Sequence, residues 1–128
     1  MSAAAVLSVG VGAALGAWAR WGLAGALNGR FPALPLGTLA ANLIGGFLIG
    51  VAMEWFSRHT GWSEEARLAV VTGFLGALTT FSTFSAEVVA ALLDARYGWA
   101  AAIAGSHLAG SLIATVLGIW CVRALAAG

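Results

Sequence analysis

The stretch Gly73-Phe-Leu-Gly-Ala-Leu-Thr-Thr-Phe-Ser-Thr-Phe-Ser85 decides the fold. It lies inside an uncharged run of 19 residues, from Leu68 to Ala86. A run of this length is about what an α-helix needs to cross the hydrocarbon core of a bilayer. A segment that only had to span lipid would be filled with large aliphatic residues, yet this one carries four hydroxyl side chains between Thr79 and Thr83. We therefore expect a membrane-spanning helix that faces protein or water as well as lipid.

The triplet Thr-Phe-Ser occurs twice in succession, as Thr80-Phe81-Ser82 and Thr83-Phe84-Ser85. Residues three apart lie on nearly the same face of a helix, so a continuous helix would stack the two phenylalanines between two stripes of hydroxyls. The alternative is a well-packed helix in which each hydroxyl bonds to a carbonyl of its own preceding turn.

A break in this helix is predicted just before the repeat, where Gly76 and Thr79 flank two apolar residues. Glycine and β-branched residues both weaken a helix. Irregular backbone at membrane depth is tolerated only where protein or a water-filled cavity covers it. Carbonyls freed by such a break can bind a cation, as half-helix ends do in transporters.

The composition is that of an integral membrane protein. Hydrophobic residues make up 61% of the 128 residues, and charged residues make up only 9%. The six basic residues are all arginine and the net charge is +1, so the chain offers no basic patch for nucleic acid. The single Cys121 cannot form an intrachain disulfide, and no cysteine–histidine spacing is typical of a zinc site.

Four uncharged runs are each near or above the roughly 18 residues expected of a spanning helix. They are Ser2 to Ala19, Leu36 to Met53, Leu68 to Ala86 and Tyr97 to Val122. The first run has no basic region before it, so we interpret it as a retained span and not a signal peptide. We predict one all-α membrane domain, residues 1–128, with helices at about 3–27, 36–56, 66–92 and 97–123, the third of them broken.

The arginines give no clear orientation in the membrane. With both termini on one side, three arginines fall on each side of the bilayer: Arg58, Arg67 and Arg123 on one, and Arg20, Arg30 and Arg96 on the other. Arginine and lysine bias normally sets the topology. The balance predicts insertion in both orientations and an antiparallel homodimer, a two-chain version of an inverted repeat. The alternative is a single orientation fixed by a slight local bias.

Polar side chains inside the other spans are candidate site residues. Asn42 stands alone among apolar neighbours, so its amide either donates to an anion or forms a structural hydrogen bond between helices. His107 and Ser111 share one face of the fourth helix, which indicates a helix contact or a water-lined path. Arg20, between two tryptophans, is either an interfacial anchor or a residue that concentrates anions at a pore mouth.

Small residues four apart predict close approach of helix backbones. They are Gly12 with Gly16, Gly46 with Gly50, and a seam of Ala101, Gly105 and Ala109.

Three motifs together carry a family resemblance: Gly16-Ala-x-x-Arg20, Gly37-Thr-Leu-x-x-Asn42 and Gly76-x-x-Thr-Thr-Phe-Ser-Thr-Phe-Ser85. With four short helices along almost its whole length, the chain resembles the Fluc/CrcB family of fluoride channels. The resemblance implies a channel, not an enzyme, that lets fluoride leave the cytoplasm passively across the cell inner membrane and so reduces fluoride toxicity. It also implies an antiparallel homodimer with two pores.

The resemblance implies that Asn42, Phe81 and Phe84 line the fluoride path, with His107 and Ser111 joining them from the fourth helix. Aromatic rings have a positive edge, so two phenylalanines presented edge-on can stabilise a small hard anion without a full charge.

The hydroxyls of Thr80, Ser82 and Thr83 would replace part of the water shell of fluoride, and Arg20 would raise the local anion concentration. The resemblance further implies a structural Na⁺ on the dimer axis, held by backbone carbonyls at the break that correspond to Gly76 and Thr79.

A small dual-topology, proton-coupled exporter of cationic compounds is the main alternative. Such a transporter needs a carboxylate inside the membrane, and Glu87 is the only one close to a span interior. Replacing Glu87 by glutamine would inactivate an exporter and spare a fluoride channel. A third alternative, a helical scaffold without transport, leaves Asn42 and the repeated hydroxyls without a role.

Overall fold

The computed structural model describes residues 1–128 and contains four long helices. They are α1 Ala3–Leu27, α2 Leu36–Arg58, α3 Glu64–Leu93 and α4 Tyr97–Ala127. Each is long and apolar enough to cross a membrane. The predicted all-α architecture of four membrane helices is therefore confirmed, and α2, α3 and α4 extend slightly beyond the predicted limits.

Side chains and turn geometry explain where the helices begin and end. The hydroxyls of Ser2 and Ser63 accept hydrogen bonds from backbone N–H groups in the first turns of α1 and α3. The end of α3 is closed by two backbone hydrogen bonds, from Ala95 N to Leu92 O and from Arg96 N to Ala91 O. This pattern is a Schellman motif, in which Ala95 takes the left-handed conformation with φ 55°.

Most large apolar side chains point outward. Leu7, Trp18, Leu112 and Leu125 are each more than 60% exposed, and only 20 of the 128 residues are buried. A water-soluble protein of this size would hide such side chains in its core, whereas lipid tails solvate them. The distribution is that of a multi-pass membrane protein.

The interface between α1 and α3 depends on glycine. A Cβ atom at Gly12 or Gly16 would overlap the backbone carbonyl oxygen of Ala69 or Phe74, respectively. The backbones of the two helices are therefore in contact, as the Gly-x-x-x-Gly spacing predicts.

The interface between α2 and α4 is built in the same way, with glycines from both helices. A Cβ at Gly50 would overlap the carbonyl oxygen of Thr115, and one at Gly118 would overlap that of Phe47. The predicted seam of Ala101, Gly105 and Ala109 takes no part, because all three are exposed and no atom lies within 4 Å of the space beside Gly105. Spacing alone did not distinguish the packed face of α4 from its outer face.

The third helix is broken as predicted, at Thr79 and Thr80, and Gly76 itself remains helical. Gly76 is helical, with φ −62° and ψ −34°, whereas Thr79 and Thr80 are extended, with ψ 155° and 120°. The first half of α3 also contains an unpredicted π-helical segment, Leu68–Leu75. The second half, Phe81–Leu93, is regular α-helix and packs on α4.

Replacing Gly16 by alanine should destabilise the protein, because the added methyl group forces α1 away from the Phe74 carbonyl. The expected loss is about 1–3 kcal/mol, typical of an overpacked contact. It is measured as a lowered midpoint of unfolding in mixed detergent micelles. Gly10→Ala is the control on the same helix, since nothing lies within 4 Å of Gly10. Equal midpoints for the two variants would contradict the close packing of α1 on α3.

Candidate functional site: the break in the third helix

The site begins where the backbone leaves the helix: Thr79 N still donates to the Leu75 carbonyl, but Thr80 N has no acceptor within α3. Thr79 and Thr80 are extended and interrupt α3. In a regular helix the N–H of Thr80 would donate to the Gly76 carbonyl, and here it does not. Buried backbone groups without partners are costly in a membrane, where water is absent. The break therefore needs a partner from another helix.

Asn42 of α2 is that partner. Its Oδ1 accepts a hydrogen bond from Thr80 N at 2.7 Å, and its Nδ2 donates to Thr80 O at 2.9 Å. The side-chain amide thus pairs with both polar groups of one backbone residue. The second N–H of Nδ2 is directed at His107 Nδ1 of α4, 2.9 Å away. A buried side chain, 9% exposed, therefore joins α2, the break and α4.

His107 lies between this amide and an aromatic ring. Its imidazole stacks on the ring of Phe84, with centroids 4.7 Å apart and an angle of 26° between planes. The residue is only 3% exposed, and its Nε2 is buried without a hydrogen-bond partner. Asn42 thus holds the imidazole at Nδ1 and Phe84 holds it at one ring face, while Nε2 has no partner.

The two phenylalanines of the repeat meet edge to face. Their ring centroids are 5.4 Å apart and their planes are inclined at 75°. Phe84 is buried, whereas Phe81 is 73% exposed on the surface of the single chain. The repeat therefore does not form two equivalent positions, since one ring is enclosed and the other projects outward.

The hydroxyls of the repeat have different surroundings. Thr80 precedes the second half of α3 and caps it, because its Oγ1 accepts a hydrogen bond from Thr83 N at 3.1 Å. The Ser82 hydroxyl lies 3.4 Å from the same Oγ1 and is exposed. The expected stacking of Thr80 over Thr83 within one helix is wrong, because Thr80 is not helical.

Arg20 contacts the other half of the break. Its Nε donates to the carbonyl oxygen of Ala77 at 2.9 Å, and the side chain is partly buried. A cation at the end of a half-helix satisfies a carbonyl that has lost its helical partner and complements the helix dipole. Arg20 therefore supports the break directly, a role that neither of the two alternatives for this residue anticipated.

One cavity of about 470 Å³ joins these residues. Its lining includes eight of the predicted site residues: Asn42, Gly76, Thr79, Thr80, Phe81, Phe84, His107 and Ser111. Arg20, Ser82 and Thr83 do not line it. None of the lining side chains is a lysine, arginine or carboxylate.

A second polar cluster was missed by the sequence analysis. Thr38, which is 2% exposed, donates to Glu87 Oε1 at 2.6 Å. Asn28 Oδ1 accepts from the backbone N of Gly37 and of Thr38, and so caps α2 from outside the helix. The other oxygen of Glu87 is buried without a partner. Glu87 therefore faces the protein.

The arrangement limits which metals the chain could hold. No group of three or more histidine, cysteine or carboxylate side chains is clustered anywhere in the chain. The oxygens near the break are hydroxyls and backbone carbonyls, which suit a hard cation such as Na⁺.

Replacing Asn42 by leucine should destabilise the fold, because Thr80 N and O both lose their partner. Each buried unsatisfied group costs about 1–3 kcal/mol. The free energy of unfolding should therefore fall clearly more than in a variant that loses only one side-chain hydrogen bond. The readout is the unfolding midpoint in mixed micelles.

Thr115→Val is the control for the loss of Asn42. It removes a hydroxyl whose one hydrogen is within reach of both the Gly46 and the Ser111 carbonyl in the packed α2–α4 interface, and it leaves no backbone N–H without a partner. If both variants lost the same stability, Asn42 would have no special role at the break.

Comparison with known proteins assigns the chain to a family. Residues 7–119 match the family described as CrcB-like protein, Camphor Resistance (CrcB). The chain is 58% identical over 120 residues to a protein of Cupriavidus taiwanensis, with 94% of this chain and 95% of that protein covered. Identity is 59% over 121 residues to a protein of Thiobacillus denitrificans (94% and 98% covered). It is 59% over 123 residues to one of Ralstonia pickettii (96% and 98% covered). All three relatives are named fluoride-specific ion channel FluC. The chain belongs to the CrcB-like family.

Proposed function

We propose that this protein is a fluoride-specific ion channel that lets fluoride leave the cytoplasm passively. The observation that carries the proposal is the neutral cavity at the break of α3, where an amide, two phenylalanines and a histidine meet. Relatives named as fluoride-specific channels, 58% and 59% identical over nearly the whole chain, support it.

A neutral cavity suits a conducted anion better than a charged one. A full positive charge would hold fluoride too tightly, and conduction requires sites that an ion can also leave. Stacking of His107 on one face of Phe84 leaves the edge of that ring uncovered by the imidazole, and the edge is the electropositive part that an anion favours. Phe81, inclined at 75° to Phe84, offers a second edge. Asn42 contributes by fixing the break and the imidazole, since both of its N–H groups are already engaged.

The single chain leaves this cavity open on one side, which favours an antiparallel homodimer. Phe81 borders the cavity and is 73% exposed, so the single chain leaves one of its lining rings uncovered. A second copy would cover it and complete two equivalent paths.

The three-to-three balance of arginines supports insertion in both orientations. Arg58 and Arg123 lie at one end of the bundle, where both contact Glu54.

A structural Na⁺ at the dimer axis fits the residues at the break. Thr80 N donates to Asn42 instead of to the Gly76 carbonyl, so that carbonyl has lost its regular helical partner. Gly76 is exposed on the surface of the single chain and, with Thr79, lines the cavity. The carbonyls of Gly76 and Thr79 from two copies would hold the ion, and the ion would supply a charge that offsets unpaired buried oxygens.

Such a channel would protect a cell from fluoride without an energy source. In the cytoplasmic (inner) membrane the potential is negative inside, so an anion leaves spontaneously. Moving one charge through 100 mV is worth about 2.3 kcal/mol.

A proton-coupled exporter of cationic compounds is the competing function, and one observation favours it. Glu87 has a buried, unpartnered oxygen, so a carboxylate does face the protein interior. It is bonded to Thr38 at the start of α2 and is not part of the cavity lining. Transport measured without a proton gradient distinguishes the two functions. A passive channel still conducts fluoride under that condition, whereas a proton-coupled exporter is inactive because the gradient drives it.

Liposomes holding the purified protein should release fluoride rapidly when a potassium gradient and valinomycin set the membrane potential, with equal pH on both sides. A fluoride electrode measures the release. Chloride efflux from matched liposomes is the control and should remain at the level of protein-free vesicles. No fluoride release from correctly folded protein would contradict the proposed function, and release of both halides would contradict its selectivity.

Replacing Phe81 by isoleucine should lower fluoride flux by about tenfold or more, because an aliphatic side chain of similar bulk has no electropositive edge. The same efflux measurement provides the readout. Phe31→Ile is the control, since Phe31 packs edge-on against Trp99 away from the cavity. Near-normal flux in a well-folded Phe81→Ile variant would rule out the ring-edge mechanism.

Replacing Na⁺ by N-methyl-D-glucamine should weaken the dimer, because the large organic cation cannot enter a carbonyl cage. A ligand present at about 100 times its dissociation constant contributes about 2.7 kcal/mol to the state that binds it. The measurement is the dimer fraction after dilution in detergent, by size-exclusion chromatography. A dimer fraction that is independent of Na⁺ would contradict a structural ion at Gly76 and Thr79.

A further inference from the structure

The hydrogen bonds of Asn42 fix the orientation of its amide. The backbone N of Thr80 can only donate, so the atom 2.7 Å from it must be the carbonyl oxygen Oδ1. The other atom is then Nδ2, which lies 2.9 Å from Thr80 O and 2.9 Å from His107 Nδ1. An amide nitrogen only donates.

This orientation determines where the proton of His107 resides. Because Asn42 Nδ2 donates, Nδ1 of His107 has to accept and therefore carries no hydrogen. A neutral imidazole has one N–H group, so its hydrogen is on Nε2. A protonated ring would oppose two N–H groups at 2.9 Å. The side chain is thus a neutral donor with a fixed tautomer.

The donor that this tautomer creates has no partner in the protein. His107 is 3% exposed, its Nε2 is buried and unpaired, and the ring borders the cavity beside Phe84 and Ser111. Stacking on Phe84 and the bond to Asn42 hold the ring, so Nε2 has little freedom to turn toward another acceptor. Buried N–H groups are seldom left unpaired without a functional reason.

We propose that Nε2–H of His107 donates a hydrogen bond to fluoride in the cavity, and that Asn42 is the positioning residue that sets the tautomer. This inference rests on the proposed channel function and names a direct ligand within it. A hydrogen bond from a neutral donor to an anion is stronger than one between neutral groups, and it adds no charge to trap the ion. The small hard anion accepts it more strongly than chloride does, so His107 contributes to selectivity.

Two substitutions of His107 distinguish the role of the Nε2–H donor from that of the Nδ1 contact with Asn42. In His107→Asn the side-chain amide reaches the place of Nδ1 and its oxygen accepts from Asn42, but the donor at Nε2 is gone. In His107→Gln an amide N–H reaches the place of Nε2, but the acceptor for Asn42 is displaced. Fluoride efflux should fall about 10- to 100-fold in His107→Asn, the loss of one hydrogen bond to a charged group. It should fall less in His107→Gln.

Ser106→Ala is the control on the same helix, since the Ser106 hydroxyl bonds only to the Ile103 carbonyl and is not part of the cavity lining. Its efflux should equal that of the wild type. If folded His107→Asn conducted as the wild type does while the wild type released fluoride, the ligand role of His107 would be overturned and the channel function would stand. A wild type that released no fluoride would overturn the channel function itself.

Nitrogen-15 NMR of the imidazole provides a readout that a purely structural histidine would not move. It is recorded on the dimer in lipid nanodiscs with His59→Gln, which removes the only other histidine signal. Nε2 should be the protonated nitrogen, and its resonance should shift when fluoride, but not chloride, is added. A hydrogen on Nδ1, or an Nε2 chemical shift that does not change when fluoride is added, would overturn the proposal. This holds even if the His107 variants fail to fold.

Discussion

The structure depends on a pair of hydrogen bonds between the side chain of Asn42 and the backbone of Thr80. A helix that is interrupted inside a membrane exposes an N–H and a carbonyl that lipid cannot satisfy. One amide satisfies both at once, as a neighbouring strand would, and its remaining N–H reaches His107. Arg20 satisfies the Ala77 carbonyl on the other half of α3. With these contacts the break becomes a stable element that can border the cavity.

Close packing of backbones makes these contacts possible. The glycines of α1 allow it to lie directly on the first half of α3, so Arg20 is within reach of the break. The π-helical segment, Leu68–Leu75, lies in the same interface. A wider turn shifts the positions of the residues that follow it, and π segments are frequent at functional sites. The α2–α4 interface, also built on glycine, holds Asn42 and His107 at hydrogen-bonding distance.

The sequence predicted the features that depend on local pattern. Uncharged length identified four spans, and Asn42 stood out because an isolated amide in an apolar helix needs a partner. Contacts between distant residues were not predictable from spacing. Thr38 and Glu87 are 49 positions apart, and Arg20 and Ala77 are 57 apart. Propensity predicted the break in the segment from Gly76 to Thr79, and the extended residues are Thr79 and Thr80, at the end of that segment, where Asn42 can reach the backbone.

Hydrogen exchange at the Thr80 amide tests most directly whether Asn42 holds the break. Thr80 lies outside any helix and has no backbone acceptor, so local secondary structure alone would leave its amide to exchange quickly. With the wild-type protein in lipid nanodiscs, the account predicts protection comparable to that of amides inside α2, because Asn42 Oδ1 accepts this hydrogen bond. Exchange as fast as that of Gly61 in the exposed loop before α3 would contradict it.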